Sequence, residues 1–167
     1  VITESINNGE IVALGLDKTK SFGIGGFGCD FSRCKNSGKV TGINGSCGIG
    51  EGGTASFCEN NGEIISENGL ACGILGGSLY PFSISYCTNK GNVTGRGAAG
   101  ICSIGSINDS YNAGTITATG NLDHASYFGY AAVIAIQCGL INSYNIGQVF
   151  GVNNFSWGLA RVLLQNS

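Results

Sequence analysis

The stretch Ser110-Tyr111-Asn112-Ala113-Gly114-Thr115-Ile116 carries a pattern, Cys/Ser-x-Asn-x-Gly-x-Val/Ile, that the chain repeats six times, over 5–11, 34–40, 58–64, 87–93, 110–116 and 143–149. The Asn is Asn7, Asn36, Asn60, Asn89, Asn112 and Asn145, and the Gly is Gly9, Gly38, Gly62, Gly91, Gly114 and Gly147. Between copies a smaller motif recurs, a Gly followed by an aliphatic residue: Gly23-Ile24, Gly48-Ile49, Gly73-Ile74, Gly100-Ile101 and Gly158-Leu159, with Ala132-Val133 in the fifth interval. A period of about 28 residues predicts stacked units, because one such unit cannot bury its apolar face without neighbours above and below.

Within each copy the alternation is that of a half-buried strand. Ile11, Val40, Ile64, Val93, Ile116 and Val149 fall two residues after the Gly, and the residue between is polar each time: Glu10, Lys39, Glu63, Asn92, Thr115 and Gln148. Asn-x-Gly just before the strand is turn chemistry, since an Asn side chain can bond neighbouring backbone groups. Asn residues in register should form a hydrogen-bonded ladder. The register is supported by charge: Glu10, Lys39 and Glu63 alternate in sign, and Lys35 falls over Glu59 one unit on. The expected architecture is all-β, a right-handed parallel β-solenoid of about six coils forming a single domain over residues 1–167. From Gly to Gly the spacings are 29, 24, 29, 23 and 33 residues, with the variation concentrated between each Gly and the next Gly-aliphatic motif, which predicts loops on one edge.

Eight cysteines invite disulfides or metal, but no Cys-x-x-Cys pair exists and His124 is the sole histidine. Instead Cys34, Cys58 and Cys87 occupy one repeat position, and Cys47 and Cys72 another, as if Cys were a small apolar residue alternating with Ser or Ala. Buried free thiols are expected there. Cys29 and Cys138, off both columns, are the better disulfide candidates.

Residues 98–120 and 139–151, with Asn108-Asp109-Ser110-Tyr111 leading to Gly114-Thr115-Ile116 and Asn142-Ser143-Tyr144 leading to Gly147-Gln148-Val149-Phe150-Gly151, resemble the GLUG-type repeat. The resemblance implies a secreted or surface-anchored microbial protein, in the company of adhesins and immunoglobulin A peptidases, with the repeats as stalk or accessory module. It carries over no catalytic residue.

Other chemistry finds little footing. A formal charge of -2 with 11% charged residues provides no basic face for nucleic acid. No run of 18 apolar residues predicts a membrane span. Asp123-His124 sits in the longest insertion near Tyr127 and Tyr130, with no nucleophile or orienting partner marked out by the sequence. His124, Tyr127 and Tyr130 are therefore a candidate ligand loop for a glycan or a host protein rather than a catalytic centre. The expected function is a non-enzymatic extracellular or cell-surface structural or adhesive module, with a glycan-binding or carbohydrate-active module as the alternative. No cofactor is expected. Partners would be a second copy stacked head to tail into a filament, Ser143, Asn145 and Val149 continuing onto Ser5, Asn7 and Ile11, or further repeats of a longer chain. Residues 159–164 are a candidate capping helix that would oppose such stacking.

Overall fold

A computed structural model describes residues 1–15, 19–77, 82–120, 131–132, 135–151 and 156–157. Its described residues form short parallel strands stacked as a β-solenoid, with no helix among them. The candidate capping segment 159–164 lies outside the described residues.

Each repeat contributes to three sheets in turn. The first contains Ile2–Thr3, Phe31–Ser32, Thr54–Ser56, Phe82–Ser85, Cys102–Asn108 and Ala135–Ile141, paired in that order. The second has six strands, one per repeat: Ile6–Asn7, Lys35–Asn36, Glu59–Asn60, Thr88–Asn89, Tyr111–Asn112 and Tyr144–Asn145. The third begins at Ile11–Ala13, Val40–Gly42, Ile64–Cys72, Val93–Ala99, Ile116–Ala118 and Val149–Gly151. The register follows the sequence repeat, with Ile11, Val40, Ile64, Val93, Ile116 and Val149 stacked in one column. The four inner members of that column are fully buried.

The expected six coils become six rungs in the Asn-containing sheet but only about four complete turns. A turn is complete when every face has a neighbour on both sides, and among the described residues the outer rungs of that sheet have one neighbour each. Asn36, Asn60, Asn89 and Asn112 are accordingly buried, whereas Asn7 and Asn145 are half-buried.

The core lies inside the stack. Phe31, Ala55, Phe82, Ile84, Ile107 and Leu140 point in from the first sheet and meet Ile49, Ile74 and Ile101 of the Gly-aliphatic motif. The aliphatic residue thus fills the centre of its coil, and its Gly does something different. A Cβ built on Gly23, Gly48 or Gly73 would overlap the carbonyl oxygen of the corresponding Gly one coil on, and would press on the side-chain amide of Asn36, Asn60 or Asn89 respectively. The two sequence motifs are therefore the two sides of one contact, a bare glycine backbone against an asparagine amide.

Candidate functional site: the ladders between coils

The side chains that the repeat keeps constant face their own copies in the next coil. Asn7 Nδ2 donates to Asn36 Oδ1 at 2.7 Å, Asn36 to Asn60 at 2.7 Å, Asn60 to Asn89 at 2.7 Å, Asn89 to Asn112 at 2.6 Å and Asn112 to Asn145 at 2.9 Å. The second amide hydrogen of each Asn goes to the carbonyl of the Gly two residues later, at 2.7 to 3.0 Å throughout. From Asn7 to Asn112 both donors are used, which removes the desolvation cost that a buried primary amide would otherwise carry. Every amide points the same way along the axis, so the ladder has a direction.

The six glycines of the motif stack beside it. A Cβ on Gly38, Gly62, Gly91, Gly114 or Gly147 would overlap the carbonyl oxygen of the Gly one coil earlier. Glycine is required there by close approach of two backbones. Gly9 lies on the first rung, and the nearest atom to a Cβ placed on it would be Oδ1 of its own neighbour Asn7 at 3.8 Å.

The Cys/Ser position forms a second ladder: Cys34, Cys58 and Cys87 are buried free thiols packed in the apolar core, as expected, and they hydrogen-bond as well. The thiol of Cys34 donates to the carbonyl of Ser32, Cys58 to Ser56 and Cys87 to Ser85, at 3.5, 3.4 and 3.3 Å. The hydroxyls of Ser5, Ser110 and Ser143 make the same bond to Thr3, Asn108 and Ile141, at 3.0, 2.7 and 2.9 Å. The later members also accept an N–H from the coil before: Cys58 N to Cys87 Sγ at 3.3 Å, Cys87 N to Ser110 Oγ at 3.0 Å and Ser110 N to Ser143 Oγ at 3.3 Å. Cys alternates with Ser because both bring a donor and an acceptor on one short arm. Burial pushes the Cys34 thiol up from its ordinary value. The contact between Cys58 and Cys87 acts oppositely on the two, holding Cys58 down to about 7 and, together with burial, Cys87 well above the usual thiol range.

The carbonyl that each thiol or hydroxyl takes as its partner precedes a residue the sequence did not mark. Glu4, Arg33, Phe57, Tyr86, Asp109 and Asn142 all have φ between 47° and 55°, and each stands immediately before the Cys/Ser. This is the left-handed region, which costs a non-Gly residue roughly 1–2 kcal/mol. It makes the corner between the first and second sheets. The side chains at the corner point outward and pair in twos: Arg33 with Glu4 at 3.6 Å, Phe57 with Tyr86 as parallel rings 4.9 Å apart, and Asn142 Nδ2 donating to Asp109 Oδ1 at 3.1 Å. No composition signal betrays a position filled by Glu, Arg, Phe, Tyr, Asp and Asn, and the only clue was its fixed place before the Cys/Ser.

Along the second sheet and the turn that follows it, two of the expected charge pairings form, together with one the sequence did not mark. Lys35 meets Glu59 at 3.4 Å, Lys39 meets Glu63 at 3.2 Å, and Lys90 closes on Glu59 from the other side at 2.6 Å. Lys90, with Lys35, holds the Glu59 carboxyl below its ordinary range, and Glu59 holds the Lys90 ammonium above its own. Tyr111 and Tyr144 continue that column as rings 5.1 Å apart and 3° from parallel. In both aromatic pairs one face of each ring is covered by its partner.

The ladder residues foreseen from sequence, Asn7 to Asn145, Gly9 to Gly147, and Cys34, Cys58 and Cys87, are thus all brought into columns. Ser5, Asn7 and Ile11 lie on the first rung, and Ser143, Asn145 and Val149 on the last. His124, Tyr127 and Tyr130 fall outside the described residues. The Cys29 thiol is free and half-exposed, and the Cys138 side chain lies outside what is described. Phe82 is buried in the core, whereas Tyr86 is exposed. Among the described residues no cluster of three or more His, Cys, Asp or Glu is placed to hold a metal ion. No protein-family model, no curated protein and no solved structure matches the chain.

Proposed function

We propose that the chain is a non-enzymatic structural or adhesive β-solenoid module displayed outside the cell or on its surface. One observation carries this reading: the side chains the repeat keeps constant are engaged in bonding coil to coil, as in the unbroken run of amides from Asn7 to Asn145. Groups that an enzyme would aim at a substrate are here aimed along the axis. Such bonding favours a stiff spacer, whose partners are further coils and whatever surface the rod presents to its surroundings. The resemblance of residues 98–120 and 139–151 to GLUG-type repeats supports the extracellular location.

The experiment is labelling of intact source cells with an antibody raised against this chain, before and after mild protease treatment. Surface label that protease removes supports the reading. Label that appears only after the cells are opened overturns it.

A further inference from the structure

We propose that the corner between the first and second sheets at Tyr86 is a binding site for a neutral glycan, with one sugar ring lying on the open face of the Tyr86 ring. This rests on the reading of the chain as an adhesive module and names the chemistry of what it adheres to.

Tyr86 stands at the left-handed corner, with φ of 54°, and is 54% exposed. Backbone bonds fix its place in the corner column: Phe57 N donates to Ser85 O at 3.0 Å and Tyr86 N to Asn108 O at 3.1 Å, so Phe57 is its neighbour in the coil before and Asp109 in the coil after. Phe57 covers one face of the Tyr86 ring as a parallel partner 4.9 Å away. The opposite face turns toward the coil of Asp109. That side chain is shorter than a ring, and it is engaged with the coil beyond, where Asn142 Nδ2 donates to Asp109 Oδ1 at 3.1 Å. The aromatic column therefore stops at Tyr86, and one face has no ring upon it.

The surroundings are hydroxyls and amides. On the first-sheet side the outward residues are Ser83, Ser85 and Ser106, with Ser83 and Ser106 exposed and paired in register. On the second-sheet side Thr88 and Tyr111 are consecutive in one column. Tyr144 covers the far face of Tyr111, so the near face of Tyr111 turns toward the coil that holds Thr88 and Tyr86. Asp109 and Asn142 are both exposed. Lys90, the cation of the same coil as Tyr86, is taken by Glu59 at 2.6 Å, which leaves the Asp109 carboxylate as the charge that a ligand here would meet.

A sugar ring has a face of C–H bonds and a rim of hydroxyls. The C–H bonds carry partial positive charge and are attracted to the negative face of an aromatic ring, while the rim needs donors and acceptors beside that ring. Tyr86 offers the first, and Asp109, Asn142 and the serines offer the second. The carboxylate repels nucleic acid and acidic sugars, so the charge complements a neutral one. A lipid surface would need a broad apolar patch, which the serines and Asp109 interrupt. One sugar on one ring binds weakly, with a Kd on the order of 1 mM, and adhesion offsets this by displaying many sites at once.

Two variants isolate the ring. Tyr86→Asn removes it and keeps a residue suited to positive φ, and Arg33→Asn makes the same exchange two coils earlier as the control. The probes are the methyl glycosides of glucose, galactose and mannose, titrated into the parent chain by NMR, and three immobilised mucins: desialylated, sialylated and fully deglycosylated. The expected result is saturable shifts of the Tyr86 ring protons with at least one methyl glycoside, retention on desialylated mucin above that on the sialylated form, and none on the deglycosylated protein. Tyr86→Asn should weaken retention by about three- to tenfold and Arg33→Asn should leave it unchanged. The NMR titration uses the parent alone, so it decides even if Tyr86→Asn fails to fold. No shift at Tyr86 with any of the three glycosides overturns the proposal, and so does a folded Tyr86→Asn chain retained as the parent is. Equal retention on deglycosylated mucin would assign the face to a protein partner instead, and stronger retention on the sialylated form would contradict the role of Asp109. Any of these failures leaves the surface-labelling result to stand or fall by itself.

Discussion

Asn60 and Asn89 are 29 residues apart in sequence and joined by a 2.7 Å hydrogen bond between identical side chains, with Asn36 making the same bond to Asn60 from below at 2.7 Å. The bond is fully buried, and it makes the side-chain register of one coil depend on the next.

Asn60→Ala should be among the more damaging single changes outside the apolar core. It leaves Asn36 Nδ2 without its acceptor, Asn89 Oδ1 without its donor and Gly62 O without the amide, all in a buried setting. Each stranded group costs about 1–3 kcal/mol, partly relieved where relaxation or water restores a partner. Asn44→Ala removes a half-buried side chain away from the ladder and should be near neutral. Denaturant melts of the two variants, compared at constant m-value, check the difference. Equal midpoints would remove the ladder from the account of stability.

Cys87→Ser should be tolerated and Cys87→Ala should not. The hydroxyl can donate to Ser85 O and accept from Cys58 N as Ser110 does for its own neighbours, whereas Ala strands both groups, at a cost of about 1 kcal/mol or more. The thiols themselves should be inert in the native state, since Cys34, Cys47, Cys58, Cys72, Cys87 and Cys102 are buried. Alkylation followed by peptide mapping should find Cys29 modified before any of these six.

At the left-handed corner, Arg33→Asn should leave stability unchanged or raise it by up to about 1 kcal/mol, because Asn adopts positive φ more readily than Arg and the exposed ion pair with Glu4 is weak. Arg33→Ile should lower the melting temperature, a β-branched side chain being the least suited to φ near 53°. A thermal scan in which Arg33→Ile melts above Arg33→Asn would contradict the corner assignment.

Glu59 and Lys90 give the stability a pH dependence of definite sign. Glu59 has a lowered folded-state pKa, so its contribution is present above the ordinary carboxylate value and is lost as pH falls through the folded value. Lys90 has a raised one, so its contribution is present below the ordinary lysine value and is lost as pH rises through the folded value. Glu59→Gln should therefore flatten part of the acid limb of the melting-temperature profile. The gap between parent and variant should be widest near neutrality and close at low pH.

The period, the strands and the columns are legible in the sequence because they repeat: Asn-x-Gly six times, with a branched aliphatic two residues on, leaves little freedom in register. Counting motif copies overstates the coils, because each copy makes a rung, and among the described residues a rung at either end of the sheet pairs on one side. The left-handed corner is invisible for a different reason. Its constraint is on the backbone while its side chains face outward, so any residue whose outward contacts offset the strain is accepted, as Phe57 and Tyr86 show by stacking on each other. The role of Cys34, Cys58 and Cys87 is half legible. Alternation with Ser could mean small size or hydrogen bonding, and only the bonds to Ser32, Ser56 and Ser85 separate the two.

Because the amide ladder and the strand pairing both run along the rod, a tensile load on its two ends is resisted by one coil's worth of bonds at a time. Pulling would peel the rod from a rim, and each release would free the 23 to 33 residues between successive motif glycines. At about 3.3–3.6 Å per extended residue, each such event adds on the order of 80–120 Å of length. Under such a load a stack of this construction should yield in unequal, countable steps, the largest set by the interval between Gly114 and Gly147.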